Sequence, residues 1–260
     1  MIDQHPTQPT VPSQVVLGRY RLGPLIGRGA TARVYRARDV SGGGEVAVKV
    51  VPAELDSEGR AAAEVRAAAR LSHPGLVRLL DWGDDGEAVH LVWELIEGPS
   101  LARTLAAQRP GGPERDAAVT EVIADVLDAL EHVHSRGVIH RDVKPANILV
   151  DDQGRGRLSD LGVARLSGEA GLTATGAVVG TLAYMAPEQA TGGLVSGAAD
   201  VYAASLTLYE ALAGANPIAG GSPAETLRRA GAAAVPPLEV ARPDLPPALC
   251  AAVDAGLARS

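Results

Sequence analysis

Two short polar segments, separated by an apolar run, carry side chains that could accept a proton and bind a cation. Asp142, Lys144 and Asn147 lie on the first segment, and Asp160 lies on the second. The run between them, Ile148 to Val150, predicts a short strand. Acids and amides at strand ends suit a reaction in which an acid accepts a proton while oxygen ligands hold a hard cation. For any one of these residues alone, a solvated loop is an adequate explanation.

A lysine upstream interrupts an otherwise apolar strand. Lys49 lies within the β-branched run Glu45 to Val51 and needs a partner, because an unpaired buried charge is costly. Glu64 falls on the apolar stripe of a predicted helix, Glu58 to Leu71, and is the candidate partner. An edge strand with Lys49 in solvent is the alternative. Gly27 and Gly29 precede this strand and permit a tight hairpin tip that can approach a ligand closely, although a Gly-x-Gly pair alone is a weak signal.

Other elements follow from periodicity and from turn residues. The pattern predicts strands at Leu76 to Trp82 and Ala88 to Trp93, and helices at Val119 to His134 and from about Pro246 onward. His132 and His134 are two residues apart on the longer helix, so they do not share a face and are interpreted as partly exposed histidines and not as metal ligands.

The order and spacing of these residues resemble those of eukaryotic-type protein kinases, most closely the bacterial Ser/Thr kinases of actinobacteria. His140 to Gly162 resembles the catalytic and metal-binding loops, and Gly180 to Glu188 resembles the end of an activation segment. The resemblance implies an α+β, bilobal fold, with a small antiparallel β-sheet lobe that carries one helix and a larger, mainly helical lobe. The implied division is a flexible leader at 1–18, a kinase domain at 19–260, a small lobe at 19–94, a hinge at 95–98 and a large lobe at 99–260.

The resemblance also assigns roles to single residues. Asp142 would be the catalytic base and Lys144 would stabilise charge on the transferred phosphoryl group. Lys49, anchored by Glu64, would hold the α- and β-phosphates of ATP. Mg²⁺ or Mn²⁺ would be held by Asn147 and Asp160. The implied ATP-binding set comprises strand, turn and hinge residues: Ile26, Gly27, Gly29, Val34, Ala47, Lys49, Glu94, Ile96 and Leu149.

A regulatory reading comes from the same resemblance. Thr173 and Thr175 lie in the polar stretch that corresponds to an activation loop, and Arg141 corresponds to the arginine that pairs with a phosphorylated residue there. We expect autophosphorylation of both threonines to order this stretch through charge-assisted hydrogen bonds. Asp200 resembles a buried aspartate that braces the catalytic loop.

These observations predict an ATP-dependent, non-specific protein Ser/Thr kinase that transfers the γ-phosphoryl group to Ser/Thr hydroxyls of protein substrates. The first alternative is a pseudokinase, a nucleotide-binding scaffold without transfer; the presence of the five residues Lys49, Glu64, Asp142, Asn147 and Asp160 argues against it. The second is a small-molecule phosphotransferase of related fold, such as those that modify aminoglycosides, which lack the segment ending in Ala186-Pro187-Glu188. Tyrosine specificity is disfavoured by Lys144 and by Thr181 after Gly180.

Composition limits the partners. The formal net charge of −7 disfavours binding to nucleic acid. The single cysteine, Cys250, fits a reducing compartment, and the chain has neither an apolar run of membrane-spanning length nor a signal peptide, so we expect a cytoplasmic protein. A longer form could be membrane-anchored, and a homodimer through the small lobe is an expectation from related bacterial kinases.

Two departures from the family pattern bear on these expectations. Leu161 replaces the usual Phe after the metal-binding aspartate; a leucine can still pack there, so activity is expected, with a looser balance between inactive and active states. The family pairs the glutamate corresponding to Glu188 with an arginine that lies beyond Ser260, so either a truncated domain or a substitute partner, Arg242 or Arg259, is expected. A buried Glu188 without a partner would cost about 3–5 kcal/mol.

Overall fold

The structure, a computed structural model, describes residues 14–29, 32–55, 62, 65–66, 68–161 and 182–258. The chain forms two units, each with its own internal contacts. Unit 1 contains residues up to Val65 together with Arg78–Leu95, and unit 2 contains Arg66–Val77 together with the chain from Ile96 onward.

Unit 1 is built on one antiparallel sheet of six strands. The strands are β1 (Val15–Val16), β2 (Tyr20–Arg28), β3 (Arg33–Asp39), β4 (Glu45–Pro52), β5 (Leu79–Asp84) and β6 (Ala88–Glu94). They lie in the order β1-β2-β3-β4-β6-β5. A short 3₁₀ turn, Ala53–Leu55, follows β4.

Alternation along these strands places one set of side chains in a core. Val48 and Val92 are fully buried, and Tyr20, Leu22 and Val46 join them. The sheet curls, because the start of β2 reaches β5: the Tyr20 hydroxyl donates to Asp81 Oδ2 at 2.8 Å. A sheet with one buried face needs this alternation. The β-branched residues that dominate β4 suit such a pleated, half-buried surface.

The ordered part of unit 1 begins earlier than expected. The predicted leader extended to residue 18, but Val15 and Val16 pair with Arg21 and Tyr20 of β2. Val16 is 3% exposed. Burial of this valine against the sheet makes Val15–Val16 part of the unit. Residues 1–13 lie outside the described residues.

Unit 2 is mainly helical. Its α-helices in the described ranges are α1 (Leu101–Ala107), α2 (Pro113–His134), α3 (Pro187–Thr191), α4 (Gly197–Ala213), α5 (Pro223–Ala232), α6 (Leu238–Ala241) and α7 (Pro247–Gly256). A two-stranded sheet of β7 (Ile148–Val150) and β8 (Gly156–Leu158) completes it. The predicted strand at Ile148 to Val150 is confirmed.

Helix α4 forms the centre of unit 2. Most of its residues between Ala199 and Leu212 are buried, and a helix that is apolar on nearly all sides must lie inside a core. Ser196 caps its N-terminus by accepting from Ala198 N–H, and Gly214, at a φ of 83°, ends it. Helix α2 begins with Pro113 at its first turn, where a missing N–H costs nothing.

The predicted helix at Glu58 to Leu71 is only partly described. Ala62, Val65, Arg66 and Ala68 are helical, and Val65 and Ala68 are buried, as the apolar stripe requires. Glu64 lies outside the described residues. Across the parts of the chain that the structure describes, no helix combines the length and the apolar character needed to span a bilayer.

Candidate active site

Strand register gathers several predicted ATP-binding residues of unit 1 into one row. Gly27 pairs with Val34, Val34 with Lys49, and Lys49 with Leu91. Directly opposed residues of antiparallel strands present their side chains on the same face. Ala47 is two residues from Lys49, so it lies on that face in the next row, opposite Trp93.

The glycine turn and the end of β6 carry the other predicted ATP-binding residues of unit 1. Gly29 N–H donates to Ala32 O at 2.9 Å and closes the turn, whose two central residues lie outside the described ranges. Ile26 is 51% exposed on β2. Glu94 ends β6 opposite Val46. Lys49 is half-buried and makes polar contacts. Strand β4 lies between β3 and β6, so the alternative of an edge strand is excluded.

In unit 2, the predicted hinge runs alongside β7. Val150 N–H donates to Pro99 O at 2.9 Å, and Ser100 forms a bridge with Leu149. A Cβ on Gly98 would lie 1.8 Å from Val150 O, so only glycine permits this approach. The segment that begins at Ile96 is therefore fixed next to Leu149, as a common adenine-binding role for both residues requires.

The strongest polar convergence lies on the loop from His140 to Asn147, which we call the 140–147 loop. Asp142 Oδ2 accepts from Lys144 Nζ at 2.8 Å and from Asn147 Nδ2 at 2.9 Å. Asn147 Nδ2 also donates to Asp142 O at 2.9 Å. Both amide hydrogens are thus used at Asp142, which turns the amide oxygen of Asn147 away from it. Charge-assisted bonds on one oxygen fix the plane of the Asp142 carboxylate.

A buried carboxylate holds the start of this loop. Asp200, 1% exposed in the first turn of α4, accepts from His140 N–H at 2.8 Å through Oδ2 and from Arg141 N–H at 2.7 Å through Oδ1. Arg141 has a φ of 67°, a left-handed conformation that costs a non-glycine residue about 1–3 kcal/mol and persists only when its surroundings impose it. The expected bracing contact of Asp200 is present.

His140 and Ser159 connect the two polar segments. His140 is fully buried; its Nδ1 accepts from Asp142 N–H at 3.4 Å, so Nε2 carries the hydrogen and donates to Ser159 O at 3.1 Å. Burial lowers the pKa of His140, which keeps the ring neutral. Ser159 N–H and Oγ–H both donate to Asn147 O, at 2.9 and 3.0 Å. Asp160 follows Ser159 directly, so these bonds bring Asn147 and Asp160 to one place.

The residues present there fit a divalent cation. Asp160 is exposed at a φ of 55°, a left-handed conformation that aspartate tolerates better than most residues. A carboxylate at Asp160 and the outward-turned amide oxygen of Asn147 form an all-oxygen donor set, which is the preference of hard cations.

The segment at 182–187 is anchored on α4. The Tyr184 hydroxyl donates to Glu210, and Asn216 Nδ2 donates to the same carboxylate at 3.3 Å. Burial, and then the nearby charge of Glu210, raise the pKa of the Tyr184 hydroxyl. The tyrosine therefore remains a donor, and this bond fixes the chain before Pro187.

Both departures from the family pattern have a structural outcome. Leu161 is 9% exposed, so the leucine packs as expected. Arg242 pairs with Asp116 and Asp244, at 2.6 and 2.7 Å, and does not substitute as the partner of Glu188. Glu188 is half-buried. Arg259 lies outside the described residues.

Some predicted residues are not described, and others were missed. Thr173 and Thr175, like Glu64, lie outside the described residues. Sequence reasoning assigned no role to Ser159 and interpreted His134 only as a partly exposed helix residue. His134 Nε2 lies 2.7 Å from Asp200 Oδ2. Nothing in the spacing pointed to a contact between residues 66 positions apart, and the only local signal was the place of His134 at the end of a helix that leads into the loop.

A curled antiparallel sheet with a half-buried lysine, together with a helical unit that carries an acid–lysine–amide loop, is typical of eukaryotic-type protein kinases. The family described as "Protein kinase domain" matches residues 20–239, and the chain belongs to this family. The predicted α+β, bilobal kinase fold is confirmed. Members of the family use ATP and a divalent metal.

Curated relatives are bacterial. The chain is 42% identical over 219 residues to RqkA, the DNA damage-responsive serine/threonine-protein kinase of Deinococcus radiodurans, covering 82% of this chain and 32% of RqkA. It is 42% identical over 229 residues to the serine/threonine-protein kinase PkaA of Streptomyces coelicolor, covering 81% and 42% of the two chains. The serine/threonine-protein kinase PknB of Mycobacterium tuberculosis is 39% identical over 224 residues, covering 82% and 35%.

The chain thus spans between 32% and 42% of the length of these three relatives. The resemblance to bacterial Ser/Thr kinase domains is confirmed.

Proposed function

We propose that this chain transfers the γ-phosphoryl group of ATP to Ser and Thr hydroxyls of protein substrates, without a narrow substrate preference. The observation that carries the proposal is the Asp142 carboxylate, held by Lys144 and Asn147 on a loop that Asp200 fixes to α4. Kinase relatives at about 40% identity support the same reaction.

The 140–147 loop supplies proton acceptance and charge stabilisation. As the substrate oxygen bonds to the γ-phosphorus and the bond to the β-phosphate oxygen breaks, Asp142 takes the hydroxyl proton and ADP leaves. Lys144 Nζ lies 2.8 Å from Asp142 Oδ2 and would offset the charge of the group being transferred. Lys49 binds the α- and β-phosphates, and the glycine turn at Gly27 and Gly29 covers them with main-chain N–H groups.

Asn147 and Asp160 are the proposed ligands of the cation, which we take to be Mg²⁺ or Mn²⁺. The cation would neutralise phosphate charge when bound. Hydrogen bonds from Ser159 to Asn147 O keep the two ligands together before any cation binds. The amide of Asn147 cannot rotate without losing both of its bonds to Asp142.

The remaining ATP contacts are proposed from the family resemblance. Val34, Ala47 and Leu149 would contact the adenine faces, Ile26 would contact the ribose side, and main-chain groups of Glu94 and Ile96 would bond the adenine edge. The shared face of Val34, Ala47 and Lys49, and the bridge of Leu149 to Ser100 beside the hinge, support these assignments. Glu64 is proposed as the anchor of Lys49.

The direct test is transfer of radiolabelled phosphate from ATP to a generic Ser/Thr substrate such as myelin basic protein. We expect the wild-type protein to be active and Asp142→Asn to lose about 100-fold or more in kcat. Asp152→Asn is the matched control, because Asp152 is an exposed acid on the next turn of the chain. Binding of ATP by a wild-type protein that transfers no phosphate would instead support a nucleotide-binding scaffold.

Regulation is proposed to pass through the segment that precedes Leu182. Autophosphorylation of Thr173 and Thr175 would supply anions for Arg141. Mass-spectrometric mapping of active protein should find both threonines modified, and the double alanine variant should be less active. Active protein without phosphate at either position contradicts this part of the proposal.

Partners and location are further proposals. Protein substrates follow from the family, whereas a homodimer through unit 1 and a cytoplasmic location are proposed from the related kinases and from the single cysteine. Cys250 is 3% exposed, and burial raises the pKa of its thiol, so it is protected from forming an intermolecular disulfide.

A further inference from the structure

Two histidines of unit 2 meet where the turn that precedes β5 lies against α2. His73 belongs to that turn and His132 to the last turn of α2, and the centroids of their rings are 5.0 Å apart. We call His73 and His132 the histidine pair. Within the described ranges, the polar side-chain contacts of the two rings are with Gly75, Asp128 and Arg136, none of which has a part in the proposed reaction.

In each ring, Nδ1 accepts a hydrogen bond from a group that can only donate. Gly75 N–H donates to His73 Nδ1 at 3.1 Å, and Arg136 Nη1 lies 3.0 Å from His132 Nδ1. A main-chain amide and a guanidinium have hydrogens to give and no acceptor site to offer. Both imidazoles are therefore neutral in this arrangement, with the hydrogen on Nε2.

A proton added to either ring finds no acceptor among these contacts. It would occupy Nδ1 and face Gly75 N–H or the Arg136 guanidinium, so a hydrogen bond would become a contact between two donors. His132 Nε2 is buried and meets no hydrogen-bond partner in the part of the chain that the structure describes. Asp128 lies 3.4 Å from His73 Nε2, but its side chain is 71% exposed, so water screens its charge. Burial, then the charges of Arg136 and His73, lower the pKa of His132 more than Asp128 raises it.

The turn that the histidine pair holds also supports β8. Val77 N–H donates to Leu158 O at 2.9 Å, and Leu158 N–H donates to Gly75 O at 2.8 Å. The other side of the turn packs closely on α2, because a Cβ on Gly75 would lie 2.7 Å from Asp125 O. Leu158 directly precedes Ser159, the residue that ties the two polar segments of the candidate site together. Main-chain bonds therefore connect this turn to the site.

From this geometry we propose that the histidine pair is a proton-sensitive anchor for the turn at residues 73–77. While both rings are neutral, each accepts at Nδ1 and the turn stays on α2. When either ring binds a proton, its bond at Nδ1 is lost, the turn separates locally from α2, and β8 loses its support. An effect on phosphoryl transfer in mild acid rests on the proposed kinase function, whereas the anchor itself does not.

The direction of the pH dependence follows from the number of bound protons. Imidazoles released into water bind protons below a pH of about 6.5, and the anchored pair binds fewer. The anchored state is therefore favoured most above that pH and loses population as the pH falls. Each proton taken up on opening changes the opening equilibrium by at most about tenfold per pH unit.

Amide hydrogen exchange of the full chain, followed by NMR, measures this opening without any activity. Between pH 7 and pH 5.5, after correction for intrinsic exchange rates, protection at Gly75, Val77 and Leu158 should fall about threefold to tenfold. Amides in the middle of α4 should stay better protected than these three at both pH values. Protection that does not change with pH, or that equals the protection of α4, would overturn the proposal, because the turn would then not open locally.

Two variants identify the titrating rings. His73→Asn combined with His132→Phe keeps an acceptor for Gly75 N–H and a ring beside it but no titratable nitrogen, so protection of the turn should not depend on pH. Arg136→Gln replaces an exposed side chain that only donates with an amide that also accepts, so His132 can bind a proton in place and the fall should shrink. Arg136→Gln decides the question if the double variant does not fold. A fall as large as that of the wild type in Arg136→Gln would reject the anchor.

The matched control is Arg103→Gln, which removes an exposed arginine of α1 and should leave the fall unchanged. Activity separates this inference from the proposed function. A turn that opens in mild acid in a protein that transfers no phosphate would leave the anchor standing and reject the kinase proposal. Phosphate transfer by a protein whose turn does not respond to pH would reject the anchor and leave the proposed function intact.

Discussion

The two units place their candidate functional side chains by different physical means. In unit 1, Lys49, Val34 and Ala47 share a face because strand pairing and the alternation of side chains put them there. In unit 2, Asp142 and Asn147 lie on a loop, and their positions depend on hydrogen bonds from side chains to main chain, chiefly from Asp200 and Ser159.

This difference determines what a substitution does. A side chain whose position is set by strand register can be replaced without moving the strand, because main-chain hydrogen bonds hold the strand in place. A loop placed by a side chain loses its geometry when that side chain is removed, since the main-chain donors are left without an acceptor. Activity and stability should therefore separate in unit 1 and change together in unit 2.

Removal of Asp200 should have the largest effect. Asp200→Ala leaves three donors without their acceptor, at His140 N, Arg141 N and His134 Nε2, and should lower the free energy of unfolding by about 3 kcal/mol or more. Misplacement of Asp142 should lower kcat about 100-fold as well. Urea denaturation and the phosphate-transfer assay measure the two quantities. Asp200→Asn keeps the volume and one acceptor oxygen, so its losses should be smaller; an alanine variant as stable as the wild type would break the comparison.

Removal of the Lys49 charge should reduce activity far more than stability. Lys49→Met keeps the length of the side chain on a half-buried position of β4, so stability should fall less than in Asp200→Ala, whereas kcat/KM for ATP should fall about 100-fold through loss of phosphate binding. The control is Arg38→Met, which removes an exposed charge from β3 of the same sheet. If Lys49→Met unfolds the protein as readily as Asp200→Ala, register is not what holds unit 1.

Replacement of Gly98 should lower both stability and ATP binding, as expected for a position in unit 2 that depends on a close contact. Gly98→Ala places a Cβ 1.8 Å from Val150 O, so the hinge must shift, and stability should fall by about 1–3 kcal/mol with weaker ATP binding. Gly44→Ala is the matched control in the β3–β4 hairpin, because nothing lies within 4 Å of its Cβ and its φ is not positive. Thermal denaturation of both variants is the measurement. Equal midpoints would mean that the hinge yields easily.

The sequence predicted most of unit 1 and less of unit 2. Strand β4 followed from its β-branched run, and the face of Lys49 followed from alternation. The strand predicted at Leu76 to Trp82 begins instead at Leu79. Val77 N–H donates to Leu158 O of β8, and Leu158 N–H donates to Gly75 O, so this stretch pairs with a distant segment that no local pattern reveals. Local propensity is overridden where a long-range main-chain partner exists.

The same limit applies to the site. Residue types and spacing identified Asp142, Asn147 and Asp160 as candidates. They could not reveal that Ser159 ties Asn147 to Asp160, or that Arg141 adopts a positive φ, because both depend on contacts made by the folded loop. His134 was interpreted as a partly exposed helix residue, and its 24% exposure agrees, but its contact with Asp200 arises only when α2 and α4 meet.

Mild acid should weaken unit 2 before unit 1. Burial lowers the pKa of His140, so the folded protein keeps this ring neutral while the unfolded chain binds a proton below a pKa of about 6.5. The unfolded state then binds more protons, and stability falls as the pH decreases from about 6.5 toward the folded pKa, by at most about 1.4 kcal/mol per pH unit. In unit 1, a bond from His90 lowers the pKa of Asp85 to about 2, so that contribution is lost only below a pH of about 3.8.

Two optical signals can separate the units in this experiment. The two tryptophans, Trp82 and Trp93, both lie in unit 1, whereas far-ultraviolet circular dichroism follows mainly the helices of unit 2. Between pH 7.5 and pH 5, the unfolding midpoint followed by circular dichroism should fall further than the unfolding midpoint followed by tryptophan fluorescence. Burial also lowers the pKa of His132, so the comparison is made in a His132→Ala background. There, His140→Asn should abolish the remaining dependence of the stability of unit 2 on pH, although it lowers overall stability. If the two midpoints fall together, the two units unfold as one, and the difference in how they hold their functional side chains does not extend to their stability.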